Sequence, residues 1–309
     1  MDAARRDVLK KYYVDADALL DRGMEAEVYA CGKDAVLKLY AGAASLRNLA
    51  TLRDFYDGLD CERVPYALPR IHTIAEEGAF VVTVERRLAG TPLAAALPAL
   101  APEQLDAIMR RYLDAALALG EIEAPPAFER YKLFDAEGIS ARSRGDWHQF
   151  LACYVAHKLT EVGPYLRRDV PQLDRRVAQL LDALSRPYLG DHRLIHGDFF
   201  PGNLLVDTGL QITALLDFGL LTMYGDPLFD IATGWVFFDM YDELGANARE
   251  RYLGLLRERL GAQAIAKLYQ YVQIYSVVSA NAYSPQCADG HYRWCVANLR
   301  EEEWWEGMA

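Results

Sequence analysis

The stretch that most narrows what this chain can fold into runs from Leu194 to Gly219, LIHGDFFPGNLLVDTGLQITALLDFG. Its apolar runs are short: Leu194-Ile195, then Leu204 to Val206, then a return from Ile212 to Leu216. Asp207-Thr208-Gly209, residue types that favour reversals, sit before the returning run. The pattern predicts a short strand, a polar loop and an antiparallel hairpin. Asp198 is followed after four residues by Asn203, and the returning strand ends in Asp217-Phe218-Gly219. An amide oxygen and a carboxylate are hard ligands suited to Mg2+. A second carboxylate on a rigid turn can take the proton of an attacking hydroxyl. An ordinary hairpin would use Asp and Asn only to cap its turns. The order and spacing of all these residues together favour chemistry over capping.

Asp-x4-Asn followed by Asp-Phe-Gly is also the order of the phosphoryl-transfer loop of kinases. His196-Gly197-Asp198, with Gly225-Asp226-Pro227-Leu228-Phe229-Asp230-Ile231-Ala232 downstream, resembles the aminoglycoside phosphotransferase and choline kinase-like family, from about Gly23 to Asp230. The resemblance implies an α+β, bilobal protein kinase-like fold. Residues 1–89 would be a small antiparallel-sheet N-lobe and residues 90–309 a larger, mainly helical C-lobe. It implies ATP (or GTP) and Mg2+ as cofactors, with Asp198 as the base, Asn203 and Asp217 as metal ligands, and His196 and Asp230 as structural supports of the loop. Gly23 would begin the nucleotide loop, and Lys38 would pair the α- and β-phosphates. The backbone of Glu85, Arg86 and Arg87, in a hinge from Thr83 to Gly90, would read the adenine edge. The implied acceptor is a small molecule of amino-sugar type, although relatives of this fold also phosphorylate choline, ethanolamine, homoserine, methylthioribose, fructosamines and macrolides. A catalytically silent nucleotide-binding protein is the rival from a different class. Its support is a single-glycine nucleotide loop and a missing helix acid, described below.

Ala18 to Leu20, Val28 to Ala30 and Ala35 to Tyr40 read as three strands, with a turn at Gly32-Lys33-Asp34. Alternation puts Lys38 on the opposite face from Leu37 and Leu39. Ala43 to Tyr56 reads as a helix with Leu46, Leu49 and Leu52 on one side. In kinases that helix supplies a Glu to the lysine, but no Glu lies in it here. Either another acid, such as Glu25, Glu27 or Asp54, holds Lys38, or the helix register differs. Helices are predicted over 103–119, 147–166, 173–184, 227–241, 247–260 and 262–283. The helix from Pro227 is apolar all round and belongs at a core. His148 and His157 have no second ligand at metal spacing and read as packing or surface histidines.

Charge decides between partners. With 33 basic against 44 acidic residues the net charge is −11, which disfavours nucleic acid and anionic membranes. Leu194 to Ala248 contains no Lys or Arg, so a nucleotide triphosphate needs a divalent cation there, and a cationic acceptor is favoured. Acidity for solubility alone would give the same count. Near the C-terminus Tyr283, Tyr292, Trp294, Trp304 and Trp305 are interleaved with Asp289, Glu301, Glu302, Glu303 and Glu306. Such aromatic faces and carboxylates can hold an ammonium group, and Asp226, Trp294, Trp304 and Glu301 are the candidate acceptor residues. An acidic helix docked by its tryptophans explains the same letters. No apolar run reaches spanning length, the N-terminus lacks an apolar segment, and the five cysteines form no CxxC pair, so a cytoplasmic protein with reduced thiols is expected.

Overall fold

A computed structural model describes residues 3–23, 26–41, 46–125, 131–143, 145–240, 244 and 247–306. The chain divides into two compact units, Met1–Ala96 with Gly202–Phe218, and Leu97–Pro201 with Gly219–Ala309.

The first unit is built on a five-stranded antiparallel sheet. Helix α1 (Ala3–Lys11) precedes β1 (Leu19–Arg22), β2 (Ala26–Cys31) and β3 (Ala35–Ala41). Helix α2 (Leu46–Gly58) then leads to β4 (Ile71–Glu77) and β5 (Phe80–Arg86), and the strand order is β1-β2-β3-β5-β4. The turns at Gly32 and Gly78 need left-handed backbone (φ +71° and +64°), which glycine supplies without strain. Period-two alternation sorts the faces. Leu37 and Leu39 of β3 pack with Tyr29, Phe80 and Val82, and with Val8 and Leu9 of α1. The opposite face carries Tyr40 and Val81, which pack with Leu49 of α2. Each such buried side chain contributes roughly 1.5–3 kcal/mol. Lys38 lies on this second face. A short strand β6 (Thr91–Pro92) and helix α3 (Leu93–Ala96) follow.

The chain then enters the second unit with α4 (Pro102–Leu119), α5 (Ile139–Arg142), α6 (Trp147–Asp169), α7 (Leu173–Ala183) and β7 (Arg193–Ile195). Helix α4 buries the predicted stripe of Leu105, Ile108, Met109, Tyr112, Leu113 and Ala116. Asp146 caps α6 by accepting from the Gln149 N–H at 2.9 Å. Strands β8 (Leu204–Val206) and β9 (Ile212–Leu215) form the predicted hairpin within the first unit, joined by β6. Back in the second unit come β10 (Met223–Gly225), antiparallel to β7, and α8 (Leu228–Phe237), α9 (Ala248–Leu260), α10 (Ala262–Val278), α11 (Gly290–Arg300) and α12 (Glu302–Glu306). Helix α8 is buried from Phe229 to Phe237 and packs on α10, α4 and α9, the central place its all-round apolar sequence requires. No helix among the described residues is long and apolar enough to cross a membrane.

Candidate active site

In the first unit, one face of β3 and β5 gathers charge. Lys38 pairs in register with Thr83, and Val36 with Glu85. Lys38 Nζ lies 3.2 Å from Glu85 Oε2 and 3.7 Å from Asp217 Oδ1. The other Glu85 oxygen accepts from the Thr83 hydroxyl at 2.7 Å. Burial works to push the Lys38 pKa down, but Glu85, then Tyr40 and Asp217, act the other way and leave it raised. Its charge is secure.

Asp217 stands in left-handed backbone (φ +56°), a costly state for a residue with a Cβ. That carboxylate is 64% exposed. The Leu216 N–H donates to the Asn203 carbonyl at 2.7 Å, so the hairpin brings the Asn203 backbone beside the residue preceding Asp217. Phe218 is tucked against Phe55 and Tyr56 of α2, with ring centroids 5.5 and 5.9 Å apart. The carboxylate of Asp217, just past β9, and the amide of Asn203, just before β8, are donor types that suit a hard, mostly phosphate- and water-coordinated cation such as Mg2+.

In the second unit, the backbone leading to Asp198 is fixed from beneath. Asp230, 2% exposed near the start of α8, accepts the His196 N–H at 2.6 Å and the Gly197 N–H at 2.8 Å. Burial is the larger influence on Asp230 and, against these two donors, pushes its pKa up to about 7. The Asp198 N–H donates to His196 Nδ1 at 3.2 Å, so the neutral ring carries its proton on Nε2. The Thr222 hydroxyl donates to the His196 carbonyl at 3.1 Å. Gly197 has φ +82°, and a Cβ there would stand 1.9 Å from the Leu221 carbonyl oxygen. No other residue type fits that position.

Asp198 also lines a cavity of about 450 Å3 with Phe200, Phe237, Tyr275, Tyr283, Asp289, His291 and Trp294. Three buried polar atoms of these lining residues, Asp289 Oδ2, His291 Nδ1 and Trp294 Nε1, have no hydrogen-bond partner among the described residues. The Ser279 hydroxyl donates to the Tyr275 carbonyl and therefore accepts from His291 Nε2, which leaves His291 Nδ1 as a bare acceptor. Burial lowers the His291 pKa, which keeps the ring neutral at pH 7.

Not every expected residue joins these groups. Of the four candidate acceptor residues, Trp294 alone lines the Asp198 cavity. Trp304 stacks on Tyr269 and packs on Trp235, with centroids 5.7 and 5.2 Å apart, because an indole at the end of the chain is best spent closing the core. Glu301 is exposed at the end of α11. Asp226 is buried, accepts from Tyr271 and the Leu228 N–H, pairs with Lys267, and lines a different cavity of about 820 Å3 with Tyr188 and Trp305. In the expected hinge, the Arg86 and Arg87 amides donate to the Arg70 and Asp34 carbonyls, and the Glu85 side chain faces Lys38. Gly23 sits at the end of β1, its N–H bonded to Ala26; the rest of the predicted loop, Met24 and Glu25, lies outside the described residues. Asp289 belongs to the aromatic and acidic cluster noted in the sequence, whereas His291 and the Phe237–Tyr275 wall were not singled out. The signal for His291 was its place three residues before Trp294.

A family model described as the phosphotransferase enzyme family matches residues 18–269. Among solved structures, the fold is similar to that of the GDP complex of aminoglycoside 2'-phosphotransferase-IIIa, with a TM-score of 0.64 at 16% identity, covering 98% of this chain and 97% of that one. It is likewise similar to the gentamicin complex of APH(2")-IIa, with a TM-score of 0.63 at 16% identity, covering 97% and 96%. The ADP-bound APH(2'')-Ib gives a TM-score of 0.60 at 16% identity, covering 97% of each chain. At such identities the likeness speaks for the fold: an antiparallel-sheet unit and a mostly helical remainder, the α+β kinase-like architecture expected from the sequence.

Proposed function

The chain belongs to the phosphotransferase enzyme family, and on that footing we propose that it moves the γ-phosphoryl group of ATP (or GTP), with Mg2+, onto a hydroxyl of an amino-sugar-type small molecule. Asp198 accepts the proton of the attacking hydroxyl as the new O–P bond forms and the bond to the leaving diphosphate breaks. Lys38 steadies the phosphates as a point charge. Asn203 and Asp217 would hold Mg2+, which spreads the charge that develops on the transferring oxygens. Asp230 and His196 keep the loop in one conformation, so that the base is in place before the acceptor arrives. Gly23 begins the loop over the phosphates.

The observation that supports the acceptor reading is the cavity that Asp198 shares with Asp289 and with the rings of Phe237, Tyr275 and Trp294. These rings offer faces to a sugar ring and to an ammonium group. The solved structures above include a complex with gentamicin, an amino-sugar compound. The test is a Mg2+–ATP phosphorylation assay against a panel of amino sugars, amino alcohols and neutral sugars. Turnover confined to amino sugars is expected. Nucleotide binding with no phosphorylated acceptor would leave a silent binding protein as the better reading.

A further inference from the structure

Lys38 has a partner, and it does not come from the helix. The acids of α2, Asp54 and Asp57, are paired with Arg53 and Arg70 at 3.2 and 3.5 Å. Glu27 is held by Arg5 and Arg22 at 3.1 and 3.0 Å, and Glu25 lies outside the described residues. The acid at Lys38 is Glu85 of β5, 5% exposed and 3.2 Å away, on the strand hydrogen-bonded directly to β3.

We propose that Glu85, mounted on a strand, is the residue that positions Lys38 for the nucleotide phosphates, a role that rests on the phosphotransfer reading above. A lysine has a long, flexible stem and needs a fixed partner to present its charge in one place. Glu85 is fixed twice: its backbone lies within the five-stranded sheet, and its second oxygen is occupied by Thr83. Because Val36, Lys38, Thr83 and Glu85 share one face of paired strands, the ion pair forms whenever the sheet forms. A helix can swing away and release a lysine; a neighbouring strand cannot leave without breaking its ladder to β3. The phosphate clamp is therefore set by the fold, without an ordering step in α2. A strand acid also explains how the chain dispenses with a Glu in that helix.

The experiment compares ATP and adenosine, since only ATP has phosphates for Lys38 to hold. In the full-length protein, Glu85→Gln keeps the shape and a hydrogen-bond acceptor for Thr83 but removes the charge. We expect it to weaken Mg2+–ATP binding and to lower kcat/KM for ATP by about 100-fold, the penalty of a group displaced by about an ångström. Adenosine affinity should stay within a small factor of wild type, and Glu85→Asp should recover part of the loss. Asp54→Asn, which touches neither group, should behave as wild type. ATP and adenosine affinities that fall together would show a structural role only and overturn the assignment. So would unchanged ATP affinity in Glu85→Gln, or a loss in Asp54→Asn. Binding is read without an acceptor, so a failure to find a phosphorylated product counts against the proposed reaction and leaves this result standing.

Discussion

Asp198 owes its position to the backbone beneath it, where one buried carboxylate accepts two successive N–H groups. Two predictions follow at this scale. Asp198→Asn removes the proton acceptor but leaves the loop's hydrogen bonds, so phosphoryl transfer should fall by at least about 100-fold while nucleotide affinity changes little. Steady-state rates with a parallel nucleotide titration check it, and near-normal turnover would remove Asp198 from the mechanism. The second concerns Asp230, whose ordinary pKa of 3.8 is raised to about 7 in the fold. Between those values the folded chain holds a proton that the unfolded chain has released. The resulting stabilisation is complete below pH 3.8 and is lost as pH rises through 7. Asp230→Asn cannot titrate. Relative to that variant, wild type should lose about 3 kcal/mol between pH 5 and pH 8, seen as a narrowing or reversal of their Tm difference. A pH-independent difference would mean that Asp230 is ionised throughout and better solvated than its burial indicates.

Among elements, the hairpin of β8 and β9 was legible because its chemistry is local: Asp198, Asn203 and Asp217 fall at fixed spacings around one reversal. Helices α4 and α6 were legible because their apolar positions repeat at helical period, and α8 because it is apolar all round. Glu85 was not. Its partnership with Lys38 depends on β3 lying beside β5, strands distant in sequence, and on a register that no local pattern specifies. The only trace was a polar Thr-Val-Glu within an otherwise apolar strand. The cavity wall is similar, drawing Phe237 from α8, Tyr275 from α10 and Trp294 from α11. The tail shows the opposite failure, where a suggestive composition is core packing. Trp304 and Trp305 are 7% and 5% exposed, and Trp305 Nε1 donates to the Leu299 carbonyl at 3.0 Å. Trp304→Ala should therefore cost roughly 3–5 kcal/mol of stability, as a large core truncation does. The acceptor KM measured well below the lowered Tm should stay the same. A rise in KM with stability intact would return Trp304 to the acceptor site.

For the molecule as a whole, charge sets a condition on nucleotide binding. The net charge is −11, and the 55-residue segment from Leu194 to Ala248, which supplies Asp198, Asn203 and Asp217, contains no Lys or Arg. A triphosphate brought to these carboxylates is repelled unless a cation neutralises both. Lys38 cannot do so alone, because one positive charge is already shared between Glu85 and Asp217. A divalent ion between Asp217 and the phosphates would reverse the sign of that local interaction. The expectation is a thermal shift that depends on the metal. At a ligand concentration 100 times Kd, binding to the folded state adds about 2.7 kcal/mol. ATP with Mg2+ should approach that gain, and ATP with EDTA should give a small fraction of it. Raising the salt should narrow the difference, because exposed repulsions are screened over about 8 Å at physiological ionic strength. Adenosine, with no phosphates to repel, should give the same shift with Mg2+ or EDTA. Equal shifts for ATP in the two conditions would show that the phosphates do not meet Asp217, and the assignment of Asn203 and Asp217 as the metal ligands would fall with them.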